Sequence, residues 1–192
     1  APSGSRHRDA GAGAVSDFLQ RHGRRTIDCV VMRYSKPASL RFLDGLTDSV
    51  RVKAVVIPSD WDIVVPRRIE VLHLKEGETF HAGSIGIRLV GVTQGTAAWL
   101  VGVDGHPVLA LPTSDSPHTT WPKVGAIVLP TMEAGYARRL LQETNPQQVF
   151  LERNRTSFEL RREILMQVPS ITSYGIAYPL HISRKRQASA FR

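Results

Sequence analysis

One stretch, residues 26–46, constrains the fold more than any other part of the chain. It begins with a short β-rich apolar run at residues 27–32, which is typical of a buried strand. A polar loop follows at residues 33–37, and then Leu40, Phe42, Leu43 and Leu46 return at helical spacing. A strand that ends in a loop opening a helix is where α/β proteins usually place their chemistry. The sequence therefore predicts an α/β protein with a functional site at this loop.

Composition bounds the class of protein and of partner. The 192 residues suit one domain, and 42% apolar with 22% charged residues is ordinary for a globular chain. The net charge of +8 favours an anionic partner, either nucleic acid or an anionic membrane surface, although many basic domains bind neither. Cys29 is the only cysteine, which excludes intramolecular disulfides and Cys-based zinc sites and indicates an inert buried thiol. No apolar run reaches the roughly 18 residues that a membrane-spanning helix needs.

Helical and strand patterns alternate along most of the chain. Helices are predicted at residues 14–22, 40–46, 133–143 and 157–168, with short strands between them and a last strand at 176–182. Asp104 and Gly105 predict a two-residue hairpin turn. We expect a flexible segment at residues 1–13, one domain at 14–183 and a basic tail at 184–192. This order predicts a layered α/β sandwich with mixed sheets.

Several short phrases carry a family resemblance through their order. They include Ile27-Asp28 before the apolar strand and Gly45-Leu46 on the following helix. In that order they resemble the metallo-β-lactamase fold, and most nearly the C-terminal domain of ComEC-type competence DNA-uptake proteins. The resemblance spans about residues 9 to 182. It implies an αββα sandwich whose opening strands would lie before residue 1.

The residues that carry metal chemistry in that family are replaced here. The His-x-His-x-Asp-His motif of active members falls on Arg33, Ser35, Pro37 and Ala38, none of which is a standard zinc ligand. The family's bridging Asp falls near Thr113, with Asp115 close by, and its paired His falls near Met132 and Glu133. The resemblance therefore implies a degenerate site without a cofactor, and Zn or Mn enters only if ligands come from elsewhere. Asp115 and His118 form the best local pair for that, with a hydrogen-bonded loop pair as the simpler interpretation.

Basic residues supply the candidate contacts to nucleic acid, with ordinary solvated arginines as the alternative for each. Three tryptophans would add stacking surfaces if they were exposed, although Trp99 lies on a predicted strand and is expected in the core. The predicted nucleic-acid-binding residues are Arg21, Arg24, Arg25, Arg33, Lys36, Arg67, Arg68, Arg184, Lys185 and Arg186, and the other two tryptophans are Trp61 and Trp121.

Three functions remain open at this point. The first is a catalytically degenerate metallo-β-lactamase-like domain of a DNA-uptake apparatus, which binds DNA or acts as a scaffold. The resemblance then implies a membrane-embedded transport domain as a further partner and a bacterial cell-envelope association, with the cytoplasm as the alternative location. The second is a metal-dependent hydrolase or nuclease with atypical ligands, although the missing motif argues against an enzyme. The third is a protein–protein interaction module.

Overall fold

Two β-sheets form the centre of the molecule. The computed structural model describes residues 9–93, 95–103, 105–111, 120–130, 132–152 and 171–174. Strands β1 (Thr26–Val31), β2 (Arg51–Pro58) and β3 (Glu70–Leu74) make a three-stranded parallel sheet in the order β1-β2-β3. Helices α1 (Ala10–Arg21) and α2 (Pro37–Thr47) flank it and contact each other. Within these ranges, no helix is long and apolar enough to cross a bilayer.

The second sheet has seven strands and mixed direction. Its strands are β4 (Thr79–Ala82), β5 (Ile85–Thr93), β6 (Thr96–Val103), β7 (His106–Ala110), β8 (Ala126–Leu129), β9 (Gln148–Glu152) and β10 (Ile171–Tyr174), and helix α3 (Ala134–Thr144) connects β8 to β9. The strands β4 to β7 form an antiparallel meander, whereas β7 to β10 pair in parallel. In the parallel half, β8 has no exposed residue, as expected of a strand that is covered on both faces.

Two apolar cores divide the molecule into layers. The first contains Leu43 and Leu46 of α2, Val55 to Ile57 of β2, and Leu89 and Trp99 from the second sheet. It therefore fills both the space under the two N-terminal helices and the space between the two sheets. The second core packs α3 on the outer face of the second sheet through buried leucines and alanines. The layers thus run helix, sheet, sheet, helix, which agrees with the predicted αββα sandwich with mixed sheets.

Most predicted elements lie within a few residues of their observed bounds. The first helix was predicted to begin at residue 14, which is wrong: it begins at Ala10 because Asp9 caps it. The Asp9 Oδ1 atom accepts hydrogen bonds from the main-chain nitrogens of Gly11 and Ala12 at 3.0 and 3.1 Å. The sequence did not indicate this first turn because its residues are small and show no apolar periodicity. The two-residue hairpin is confirmed, since Val103 pairs with His106. The elements predicted at 157–168 and 176–182 lie outside the described residues.

Candidate functional site

The parallel sheet gives the molecule two chemically different edges. Because β1, β2 and β3 run in the same direction, all three end at one edge and all three begin at the opposite edge. We call these the carboxyl edge, after Val31, Pro58 and Leu74, and the amino edge, after Thr26, Arg51 and Glu70. The loop predicted as the functional site, residues 33–37, corresponds to residues 32–36 between β1 and α2, and it leaves β1 at the carboxyl edge. The predicted cations are divided between the two edges.

Residues 32–36 are fastened to both sheets by main-chain hydrogen bonds. The Met32 nitrogen donates to the Val56 oxygen of β2 at 3.1 Å. On the other side, the Ala97 nitrogen donates to the Arg33 oxygen at 2.9 Å, and the Ser35 nitrogen donates to the Gly95 oxygen at 3.0 Å. The main chain of the loop therefore spans the gap between the layers at the carboxyl edge.

Two side chains reinforce this connection from the interior. Trp99 on β6 is fully buried, and its Nε1 donates to the Met32 oxygen at 2.9 Å. Arg33 is half-buried, and its Nη2 donates to the main-chain oxygen of Leu111, directly after β7. Its guanidinium carbon also lies 5.6 Å from the centroid of the Tyr34 ring. The Arg33 guanidinium thus bridges the β1 loop and the end of β7 inside the space between the sheets.

A cleft of about 530 Å³ opens beside this loop at the carboxyl edge. Its walls come from the β1 loop, from the segment after β2 and from the end of β5: Ser35, Asp60, Trp61, Asp62, Val92 and Thr93. Gly95 completes the turn between β5 and β6 with a φ of +92°, and an added Cβ would lie 2.9 Å from the Ser35 Oγ. The close approach of the turn to the loop therefore depends on glycine at position 95.

The amino edge gathers four of the seven predicted cations that lie within the described residues. Exposed arginines stand just before each of the three strands or at its first residue, and we call them the basic cluster: Arg24, Arg25, Arg51, Arg67 and Arg68. The main chain joins two of them, since the Arg51 nitrogen donates to the Arg25 oxygen at 3.0 Å. The Arg68 Nη2 lies 3.4 Å from the Thr47 oxygen, near the C-terminal end of α2, where a cation interacts favourably with the helix dipole.

Arg51 was missed by sequence reasoning because it appears as the polar start of an ordinary strand. The parallel register of the structure places the first residue of β2 beside Thr26, close along the strand edge to Arg24 and Arg25, and no signal in the sequence shows this. Arg21 ends α1 shortly before this cluster. Lys36 is exposed at the opposite edge, with its Nζ 5.6 Å from the centroid of the Tyr34 ring.

An ion pair next to the basic cluster neutralises one of its acidic neighbours. The Lys53 Nζ on β2 lies 2.5 Å from the Asp28 Oδ1 on β1, and both side chains are largely exposed. The hydrogen bond and the charge of Lys53 hold the pKa of Asp28 below its usual value, and the charge of Arg24 contributes in the same direction. Asp28 is therefore ionised and paired at neutral pH.

The tryptophans do not offer stacking surfaces. Trp61 and Trp121 are only 6% and 9% exposed, so the condition for their stacking on bases is not met, whereas the core position predicted for Trp99 is confirmed. Both residues lie in segments predicted as loops, but their indole rings are buried. Arg184, Lys185 and Arg186 lie outside the described residues, as do Thr113, Asp115 and His118.

Comparisons with known proteins identify the architecture. No sequence-family model matches the chain, and no curated protein matches it significantly. Among solved structures, the metallo-β-lactamase fold protein YhfI from Bacillus subtilis superposes with a TM-score of 0.59 at 10% identity, covering 79% of this chain and 76% of YhfI. A diphosphatase from the PhnP family gives a TM-score of 0.55 at 13% identity over 87% of this chain and 76% of its own.

The chain has the metallo-β-lactamase fold. A third solved structure, the diiron β-hydroxylase CmlA from Streptomyces venezuelae, matches with a TM-score of 0.57 at 13% identity and covers 67% of this chain. This chain spans only 36% of the length of CmlA. At these identities the likeness concerns the fold alone.

The described residues do not fit the two-metal centre of this fold. A two-metal site needs several nitrogen or oxygen ligands that converge on ions about 3.5–4 Å apart. In the part of the chain that the structure describes, no three His, Cys, Asp or Glu side chains come together in that way. The resemblance places the first position of the family's motif on Arg33, whose guanidinium reaches Leu111, and the paired His on buried Met132 and exposed Glu133. Under that placement, Glu133 is the one of these three side chains that could donate to a metal ion.

Proposed function

We propose that this domain binds nucleic acid through the basic cluster at its amino edge and does not perform two-metal hydrolysis at the β1 loop. The observation that carries the proposal is the convergence of five exposed arginines from three separate chain segments on one sheet edge. Their sequence positions span 45 residues, from Arg24 to Arg68, and the parallel register gathers them. A cationic row of this kind is the electrostatic footprint of a surface that binds phosphate groups.

The charges around the cluster also favour an anionic partner. Asp28 is paired with Lys53, which offsets most of its effect on the cluster, although its charge also interacts with Arg24. Glu70 is exposed at the start of β3 and reduces the local positive charge, which five arginines carry. Because arginine is always protonated, the surface keeps its charge across the physiological pH range.

More specifically, we propose that the domain acts in DNA uptake, on the basis of its sequence resemblance to ComEC-type domains. In that context the partner is DNA, and a membrane-embedded transport domain lies in the same or a neighbouring chain, at the bacterial cell envelope. The basic tail, with Arg184, Lys185 and Arg186, would add cations to the same interaction. Arg33 is not included among the proposed DNA contacts, because its guanidinium donates a hydrogen bond to the Leu111 oxygen.

Fluorescence anisotropy with labelled single- and double-stranded oligonucleotides at several salt concentrations tests the proposal. We expect binding that weakens steeply with salt, since log K falls by about 0.9 per phosphate contact on duplex DNA and by about 0.7 on single strands. The Arg24→Gln/Arg25→Gln and Arg67→Gln/Arg68→Gln variants should each lower the slope by about one to two units. The control is Lys75→Gln/Arg88→Gln, which removes two exposed cations away from the cluster.

Three outcomes would contradict the proposal. Equal losses in all three double variants would mean that only the net charge matters. Absence of DNA binding by the unaltered protein would favour a protein–protein module instead. Stoichiometric Zn or Mn in the purified protein, together with Mn²⁺-dependent cleavage of DNA, would support the alternative of a hydrolase with atypical ligands.

A further inference from the structure

One exposed ring adjoins the basic cluster at the amino edge. His22 directly follows α1, one position after Arg21 and two before Arg24, and its side chain is exposed. Consecutive Cα atoms are about 3.8 Å apart, so the Cα atom of His22 lies within about 8 Å of that of Arg24. Arg25 then joins this segment to Arg51, whose main-chain nitrogen donates to the Arg25 oxygen. His22 therefore stands at the β1 end of the row of arginines.

The His22 ring is held in place although it is exposed. Its Nδ1 donates a hydrogen bond to the main-chain oxygen of Phe18 at 2.8 Å, since a carbonyl oxygen can only accept. The centroids of the His22 and Phe18 rings are 4.1 Å apart, and their planes are inclined by 32°. One face of the imidazole thus lies against the half-buried Phe18 ring, and the exposed surface of the imidazole includes the opposite face.

The other aromatic side chains do not provide such a surface beside the cluster. Among the side chains that the structure describes, no tryptophan, tyrosine or phenylalanine is exposed, and the exposed rings are those of His22, His73 and His81. His73 lies three residues after the start of β3, about 10 Å along the strand, and His81 lies on β4 in the other sheet. Of these three rings, only that of His22 is next to the basic cluster.

We propose that the basic cluster takes single-stranded nucleic acid, with one unpaired base stacked on the open face of the His22 ring. The proposal rests on nucleic-acid binding by the basic cluster, because the arginines would hold the phosphates next to that base. Unpaired bases stack on aromatic side chains, histidine among them, whereas the faces of bases within a duplex are covered by neighbouring base pairs. A ring that is already fixed loses little conformational freedom when the base binds.

A duplex would use this edge less completely. Its phosphates would contact the arginines, but its stacked bases would leave the His22 ring without a partner. Charge alone favours the duplex, because log K falls by about 0.9 per phosphate contact on a duplex and by about 0.7 on a single strand as salt rises. Stacking of one base changes affinity by at least about fivefold, so it is the contribution that selects the single strand.

Anisotropy titrations at about 200 mM salt, where the phosphate contacts are weakened, test this ligand. The probes are oligo(dT), a duplex of the same length, and an abasic strand, which keeps the phosphates and lacks the bases. We expect oligo(dT) to bind at least about fivefold more tightly than the abasic strand, and more tightly than the duplex. Oligo(U) distinguishes RNA from DNA as the source of the strand, and its tighter binding would support the stacking with RNA as the partner.

Variants of His22 separate the ring from its charge. His22→Ala should lower the affinity for oligo(dT) at least about fivefold and leave the affinity for the abasic strand unchanged. His22→Tyr keeps a ring and should retain most of the preference, whereas His22→Lys keeps a positive charge without a ring and should lose it. Phe18→Leu removes the ring that positions the imidazole and should lower the preference in part. His73→Ala removes an exposed imidazole away from the cluster and is the matched control.

A purely structural role of His22 at the end of α1 predicts a different result. His22→Ala would then lower the free energy of unfolding without changing the ratio of the affinities for oligo(dT) and the abasic strand, and this would overturn the proposal. Equal binding of these two strands by the unaltered protein, or tighter binding of the duplex, would overturn it as well. If Arg24→Gln/Arg25→Gln still weakens binding in those cases, nucleic-acid binding by the cluster stands. Absence of binding to every probe would contradict both.

Discussion

The Nη2 of Arg33 donates a hydrogen bond to the main-chain oxygen of Leu111, 78 residues further along the chain. The bond connects the loop after β1 in the first sheet with the residue that follows β7 in the second. It lies where the family resemblance places the first metal ligand. The Arg33 guanidinium therefore connects the two sheets at the β1 loop.

Replacement of Arg33 by Met should destabilise the domain. The substitution removes a charge-assisted hydrogen bond from a half-buried position and leaves the Leu111 oxygen without this donor. We expect a loss of about 1.5–3 kcal/mol in the free energy of unfolding, measured by urea denaturation. Arg33→Lys should recover part of it, whereas Lys36→Met, at an exposed site, should change stability by less than about 0.5 kcal/mol. Equal stability of the Arg33→Met and unaltered proteins would show that the bridge contributes nothing.

Removal of metal should leave the folded domain unaffected. A protein whose native state holds a metal is stabilised by it through mass action, and a chelator then lowers the melting temperature. Because the described residues bring together no three metal-ligating side chains, we expect the same melting temperature in EDTA as in Zn²⁺ or Mn²⁺. Differential scanning fluorimetry measures this directly. A rise in melting temperature with stoichiometric metal would show that the protein has a metal site whose ligands are not all among the described residues.

The β1 loop illustrates how far the sequence could predict the site. The apolar run, the loop and the helix at residues 26–46 appear as β1, residues 32–36 and α2, because each follows from local periodicity and from proline at the helix start. Arg33 was identified from the sequence as a cation in the loop where the resemblance places the metal ligands. Its contact with Leu111 could not be predicted, because it depends on how the two sheets pack across a long sequence separation.

The basic cluster was predicted only in part, for a similar reason. Arg24, Arg25, Arg67 and Arg68 were identified as separate basic pairs, but the fact that they share an edge with Arg51 follows only from the parallel order β1-β2-β3. Trp61 was misjudged because the polar residues around it indicated a surface turn. The turn does lie at the surface, but the indole ring itself packs into the first core.

Substitution of Gly95 by Ala should loosen the loop from the second sheet. Gly95 has a φ of +92°, which side chains rarely adopt, and the new Cβ would lie 2.9 Å from the Ser35 Oγ. We expect a destabilisation of about 1–2 kcal/mol from the backbone alone and more from the contact. Gly105→Ala is the control, since its φ of +80° is similar and nothing lies within 4 Å of its Cβ. If the free energy of unfolding falls equally in both variants, the contact between the new Cβ and Ser35 does not destabilise the domain.

The Cys29 thiol should be unreactive in the native protein and should make stability depend on pH at the alkaline end. Partial burial raises the pKa of Cys29 to about 11, and the neighbouring charge of Asp28 adds to the effect. The thiolate is the nucleophile, so iodoacetamide should alkylate the folded protein slowly near pH 8 and faster once urea unfolds it. Since the folded pKa exceeds the unfolded value, the thiol's contribution to stability is complete below about pH 9 and is lost as the pH rises towards 11.

Two variants separate the causes of this shift. Cys29→Ala should abolish the loss of stability that is due to the thiol between about pH 9 and 11, measured by urea denaturation at each pH. Asp28→Asn removes only the smaller, electrostatic cause, so the pKa of Cys29 should fall but stay above its ordinary value. Rapid alkylation of the folded protein at pH 8 would contradict the burial of the thiol, and with it the packing of β1 against the first core, on which the position of the Arg33 loop depends.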